Sequence, residues 1–154
     1  MNPFSLGLPN GSPRSVIRWV VRLILGLCFV SLGLNKAWHP ADFLKAIHQY
    51  GWLEGSVSLT WIAAWLPWFE VFCGLLLLVR IWARGSALVV FGMLLVFSAM
   101  ILHRALRIQE TSGIAFSQIR FDCGCGTGEV LVWRKLLENA VLAVLAATVF
   151  LRRF

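Results

Sequence analysis

Two cysteines stand one residue apart in Phe121-Asp122-Cys123-Gly124-Cys125-Gly126-Thr127-Gly128, a glycine-rich stretch just ahead of an apolar run. A bridge between residues i and i+2 closes a small ring that departs from relaxed disulfide geometry. Such a bridge is more easily reduced than a structural one and suits exchange. The glycines supply the backbone angles that the ring needs, and so short a loop restrains little chain entropy, which argues against a staple. Two other chemistries stay open for Cys123 and Cys125. One is a soft-metal site, best suited to Cu(I) and completed by a side chain such as His39 or His103; the other is an inert pair. A zinc site wants four ligands, and neither a second close Cys pair nor a His-x-x-x-His follows. Arg120, Arg134 and Lys135 favour a thiolate nearby, and Asp122 opposes it.

Ionisable groups inside apolar stretches are the second source of chemistry. Glu70 lies within the run Val57 to Val79, where a carboxylate needs a partner or a polar cavity. Counting 1.5 Å per residue from the outer ends of the runs sets Glu70 roughly 20 Å and Arg22 roughly 21 Å deep. The expected arrangement is a Glu70–Arg22 ion pair, with a proton-handling carboxyl and an unpaired neutral acid as the alternatives. Glu138 and Asn139, together with Lys36, make a second polar set, in which Lys36 is expected to snorkel toward the headgroups. The same counting sets Cys28 roughly 12 Å and Cys73 roughly 24 Å deep, too far apart for a disulfide, so both read as small buried apolar side chains. His39, His48 and His103 fall at the ends of apolar runs, where a solvated imidazole is the default. No phosphate loop, Ser-His-Asp order or paired-carboxylate pattern occurs.

Composition dictates what positions these groups. Of 154 residues, 59% are apolar and 14% charged, with mean hydropathy +0.79, whereas soluble domains run about 45–50% and about 25%. A water-soluble globular domain is excluded. Spans of roughly 20 residues are expected at about 16–34, 57–79, 85–103 and 130–151, after a flexible tail over 1–15. The whole of 16–154 reads as one transmembrane domain whose first span is retained rather than cleaved. His39-Pro40 ends the first span. Ala41 to Trp52 then sets Phe43, Leu44, Ile47 and Tyr50 at helical spacing opposite Asp42, Lys45, His48 and Gln49, as in a short interfacial helix. The brief link Arg80 to Arg84 makes spans two and three antiparallel neighbours, and Arg104 to Glu129 reads as a polar, glycine-rich loop. Ala140, Ala143 and Ala147 mark a close-packing face on the fourth span. The expected fold class is an all-α membrane protein: a four-transmembrane-helix bundle with a short interfacial helix after the first span and a Cys-Gly-Cys loop before the fourth.

Fourteen Lys and Arg against seven Asp and Glu give a net charge of +7. The basic residues cluster at the ends of apolar runs, where they anchor to lipid headgroups, and form no aromatic-interleaved stripe of the kind that binds nucleic acid. Nucleic acid is therefore not an expected partner; membrane lipid is. The tail and the 80–84 link are basic and free of acid, which points to both termini in the cytoplasm and the Cys loop outside.

Several segments together resemble the DoxX-like superfamily of small four-helix membrane proteins, and most closely its methylamine-utilisation MauE branch. The resemblance is carried by Gly33-Leu34-Asn35-Lys36, Pro40-Ala41-Asp42-Phe43, Tyr50-Gly51, Pro67-Trp68-Phe69-Glu70 with Gly74, Asp122-Cys123-Gly124-Cys125, and Trp133…Leu136-Leu137…Asn139. Where relatives often continue with an aromatic residue, this chain has Gly126-Thr127-Gly128. The resemblance implies a multi-pass protein of the bacterial inner membrane with the Cys loop in the periplasm, tied to methylamine metabolism. It implies disulfide chemistry beside a periplasmic thioredoxin-like partner or a disulfide-rich substrate protein. It carries a redox role onto Cys123 and Cys125 alone, while Glu70 and Asn139 match polar positions. The expected function is a membrane thiol–disulfide relay, with a quinone among the helices as an electron carrier. The alternative is a non-enzymatic scaffold, metal-binding or transport-type subunit in which Glu70 lines a polar cavity.

Overall fold

The computed structural model of the chain describes residues 13–49, 56–122 and 129–151. Pro13 opens α1 (Pro13–Trp38), at the helical position where its missing N–H costs nothing. His39 breaks the helix, and Pro40 opens α2 (Pro40–Gln49) with Asp42 in the first turn, where the helix dipole favours an acid. Next come α3 (Ser56–Val79) and α4 (Ala83–Ser112). A tight turn joins them, with Arg80 and Trp82 at φ 68° and 52°. A single 3-10 turn, Phe116–Gln118, leads to β1 (Arg120–Asp122), β2 (Glu129–Leu131) and α5 (Val132–Leu151). Among the described residues, Val16–Trp38, Thr60–Val79 and Ala83–Ser112 are long and apolar enough to cross a membrane. Helix α5 carries three charged residues, Arg134, Lys135 and Glu138, in its first two turns.

Two departures from expectation concern the stretch after the third span. Helix α4 continues past His103 to Ser112, because Arg104, Ala105, Leu106, Arg107, Gln109 and Glu110 are good helix formers. Gly113 closes it at φ 64°, its N–H donating to the Gln109 carbonyl at 3.0 Å, a left-handed cap that glycine adopts without a Cβ clash. What remains of the expected loop includes a two-stranded antiparallel ribbon, with Arg120 opposite Leu131, Phe121 opposite Val130 and Asp122 opposite Glu129. Ile119, Phe121 and Val132 seat its base on Ile101 and Ala105 of α4. The Arg104 guanidinium lies 4.5 Å from the Phe121 ring centroid.

The helices pack as two antiparallel pairs, α1 with α3 and α4 with α5. Glycines bring α1 and α3 together. A Cβ on Gly33 would stand 2.7 Å from the Pro67 carbonyl oxygen, and one on Gly74 2.8 Å from the Gly26 carbonyl oxygen. Small residues let backbones meet in this way where lipid offers no hydrophobic gain for helix association. In the second pair the inward face of α5 is Val132, Lys135, Asn139, Ala143, Ala146 and Val149. Of the three alanines expected to form the packing face, Ala143 is buried, Ala140 is exposed and Ala147 is half-buried. Leu25, Phe29, Leu77, Val90 and Leu94 fill the space between the pairs.

The glycine contacts also fix how far α3 is slid along α1. Gly33 meets Pro67 and Val71, and Gly26 meets Gly74 and Leu78. Matching the outer ends of the two apolar runs, as the depth count does, misplaces α3 by roughly 15 Å at 1.5 Å per residue. The cause is α2: the first turns of α3 run beyond the end of α1 and pack through Ala63 on Phe43 and Ile47.

Candidate functional site

All five helices contribute side chains to one small cavity. Phe29, Leu32 and Lys36 come from α1, Phe43 and Ile47 from α2, and Glu70 from α3. Leu94, Phe97, Met100 and Ile101 come from α4, and Lys135 and Asn139 from α5. Helical periodicity puts them there: Phe29, Leu32 and Lys36 share one face of α1 at i, i+3 and i+7, and Lys135 and Asn139 are stacked at i and i+4 on α5.

Glu70 is 1% exposed and Lys36 5%. The Lys36 ammonium donates to Glu70 Oε1 at 2.5 Å. The Lys36 Nζ also stands 4.6 Å from the Phe97 ring centroid and 5.2 Å from that of Phe43, so aromatic faces help hold the cation away from bulk water. Asn139 Nδ2 donates to Ser98 Oγ at 3.3 Å, and Ser98 Oγ donates to the Leu94 carbonyl at 2.7 Å. Lys135 is buried and donates to Glu138 Oε2 at 3.2 Å. Glu70 Oε2 is buried with no hydrogen-bond partner among the described residues. The cavity measures about 50 Å³. That gives room for water able to donate to Oε2, and about a third of the ~150 Å³ that takes up a benzene ring.

The expected Glu70–Arg22 pair is not formed. The slide of α3 along α1 carries Glu70 up to Lys36 and leaves Arg22 near the far end of α3, at the level of Arg80. Lys36 is correspondingly not a snorkelling side chain but the buried partner of Glu70. The two expected polar sets merge in part, with Glu70, Lys36 and Asn139 around one cavity. Glu138 remains outside it, its side chain 60% exposed. Lys135 is the charged cavity residue that reading the sequence missed, being read as a charge beside the Cys pair. Its signal is the i, i+4 spacing to Asn139 on the face that continues into Ala143.

The same slide corrects the depths of Cys28 and Cys73. Gly74 lies against Gly26 and Val30, so Cys73 is level with Cys28 rather than far below it. Both are nevertheless free thiols, because 100° per residue turns Cys28 to the side of α1 away from Gly26 and Val30. Cys123 and Cys125 lie outside the described residues. The strands on either side of them are described, and the Asp122–Glu129 pairing closes the two ends of segment 123–128 onto each other. Among the described residues no group of three His, Cys, Asp or Glu side chains is placed to hold a metal ion.

No curated protein and no solved structure matches the chain. The sequence model of one family, Methylamine utilisation protein MauE, matches residues 14–152. Together with helices long and apolar enough to cross a bilayer, the match makes this an integral membrane protein. Apolar helices, a glycine-packed helix pair and a buried Lys36–Glu70 core thus occur in a chain that belongs to the MauE family.

Proposed function

We propose that the protein is an inner-membrane thiol–disulfide relay whose working groups are Cys123 and Cys125. The observation that carries the reading is the ribbon: the Asp122–Glu129 pairing holds both ends of the Cys-Gly-Cys segment, and Phe121 and Ile119 anchor its base in the bundle. The partner in this reading is an extracytoplasmic thioredoxin-like protein or a disulfide-rich substrate protein, as the resemblance to MauE proteins implies. Helix α5, which packs along α4 and at about 1.5 Å per residue is long enough to cross, is the fourth span in this reading. Both termini are then cytoplasmic and the ribbon is periplasmic. A wider kinship with DoxX-like proteins belongs to the same proposal.

In the exchange, one Cys thiolate attacks a disulfide of the partner, forming a mixed disulfide and releasing a partner thiolate. The second Cys attacks the mixed disulfide, closing the Cys123–Cys125 bridge and releasing the other partner thiolate. Two electrons and two protons pass to the partner, and the reverse sequence passes them back. A quinone among the helices as the onward electron carrier belongs to the same proposal, and Cu(I) bound to the two thiolates is the competing use of the pair.

The test is mixed-disulfide trapping with the full-length protein in its membrane. Cys123→Ser and Cys125→Ser are prepared singly in a strain that carries the partner, and free thiols are blocked before electrophoresis. One of the two variants is expected to accumulate a covalent adduct that dithiothreitol releases. Two variants that form no adduct and retain full function in partner maturation would overturn the relay. They would leave the scaffold or transport-type reading, which the Glu70 cavity favours.

A further inference from the structure

Arg22 has what the buried Lys36, paired with Glu70, does not: an unmet need for a counter-charge. It is 9% exposed, and its Nε is buried without a hydrogen-bond partner among the described residues. None of the ion pairs among those residues includes it. It sits about 9 Å along α1 from Val16, where the apolar run begins. A guanidinium enclosed by protein at that depth carries five donors and a full charge that something must answer.

The surroundings add positive charge rather than relieve it. The slide of α3 along α1, with Gly26 against Gly74 and Leu78, brings Arg22 level with Arg80 at the end of α3. The acidic residues are Asp42, Glu54, Glu70, Glu110, Asp122, Glu129 and Glu138; none falls in the turns of α1, α3, α4 or α5 that make up this end. Leu25 and Val21 of α1 belong to the same buried cluster as Leu77 of α3 and Ala83 and Ala87 of α4, which sets the start of α4 at the end of the bundle that bears Arg22. That start has no side-chain cap: Trp82 supplies none, and the first backbone bond runs from the Ser86 N–H to the Trp82 carbonyl at 2.9 Å. The N–H groups of Ala83, Arg84 and Gly85 therefore face outward at the positive end of a 30-residue helix. Nothing stands within 4 Å of where a Gly85 Cβ would be, so the approach is open.

We propose that this end of the bundle binds a phosphate group between Arg22, Arg80 and the uncapped start of α4. The level of Arg22 near the margin of the apolar run makes the phosphate of an anionic lipid headgroup the natural source, and inorganic phosphate shares its chemistry. The contacts are charge-assisted hydrogen bonds from two guanidiniums to one phosphate, with helix N–H groups completing the site.

The experiment uses the full chain. Protein is exchanged into phosphatidylcholine nanodiscs with or without phosphatidylglycerol, and retained lipid is counted by native mass spectrometry after partial delipidation. The wild type is expected to keep phosphatidylglycerol over phosphatidylcholine. Arg22→Gln and Arg80→Gln should each weaken that retention roughly tenfold, the scale of a lost charge-assisted hydrogen bond. Arg107→Gln, the same charge change on an exposed residue at the other end, should leave it unchanged. If Arg22→Gln does not fold, the exposed Arg80 carries the test. Millimolar inorganic phosphate that displaces the lipid, or that alone raises the thermal midpoint in phosphatidylcholine, supports the same site with solution as a second source. Equal retention of both lipids, or equal loss for the 22, 80 and 107 variants, would overturn the proposal.

Discussion

Replacing Lys36 and Glu70 singly and together tests the arrangement at the centre of the bundle. Removing one member of a buried ion pair leaves the other uncompensated and costs about 3–5 kcal/mol. Glu70→Leu belongs at the lower end of that range, because Lys36 keeps Phe97 and Phe43 at 4.6 Å and 5.2 Å, and desolvated cation–π contacts are worth about 2 kcal/mol. Lys36→Met belongs at the upper end, since both carboxyl oxygens of Glu70 are then without a partner. The double variant Lys36→Met/Glu70→Leu sets an apolar pair of similar volume in the same place and should return to within about 2 kcal/mol of wild type. The cycle therefore predicts a coupling of about 3 kcal/mol or more. It is read by equilibrium unfolding of the full-length protein in mixed micelles of neutral and denaturing detergent, followed by helical circular dichroism. Losses that add to within about 0.5 kcal/mol would refute the pairing, as would a coupling that appears instead between Glu70→Leu and Arg22→Met.

The glycine seam gives a contrast within one residue type. Gly33→Ala forces a Cβ to 2.7 Å from the Pro67 carbonyl and should cost about 1–3 kcal/mol, whereas Gly92→Ala meets nothing within 4 Å and should stabilise α4 by up to about 1 kcal/mol; the same unfolding assay reads both. Phe121→Ala removes the ring that seats the ribbon and should cost about 3–5 kcal/mol, with faster amide exchange at Val130 as its local signature. Cys73, 3% exposed, should resist a membrane-permeant maleimide in the folded protein while the half-buried Cys28 reacts faster, as alkylation followed by peptide mass spectrometry would show.

The periodic apolar runs made the helices legible, and the break at Pro40 is read from its proline, whereas α4 runs nine residues past its expected end at His103 to the cap at Gly113. The polar residues of the site were legible one by one, since Glu70, Lys36 and Asn139 each break an apolar face. Their grouping was not, because it depends on how far α3 slides along α1. That slide is set by Gly26, Gly33 and Gly74 and by the seat α2 gives to Ala63, a tertiary fact that counting inward from the ends of runs does not contain. Lys135 escaped for a related reason: with Arg134 it reads as a charge beside the Cys pair, and only its stacking over Asn139 shows that it turns inward. The ribbon was hidden because strands of three residues leave no period to read, and Arg120-Phe121-Asp122 looks like loop until its partner Glu129-Val130-Leu131 is set beside it.

The central claim is that Cys123 and Cys125 cycle between dithiol and disulfide. It is tested most directly by equilibrating membranes that contain the full-length protein across a series of dithiothreitol ratios, quenching with an alkylating reagent, and weighing the peptide that bears both cysteines. The account predicts one reversible two-electron transition confined to Cys123 and Cys125, with Cys28 and Cys73 reduced throughout. A pair that stays in one state at every ratio would contradict it.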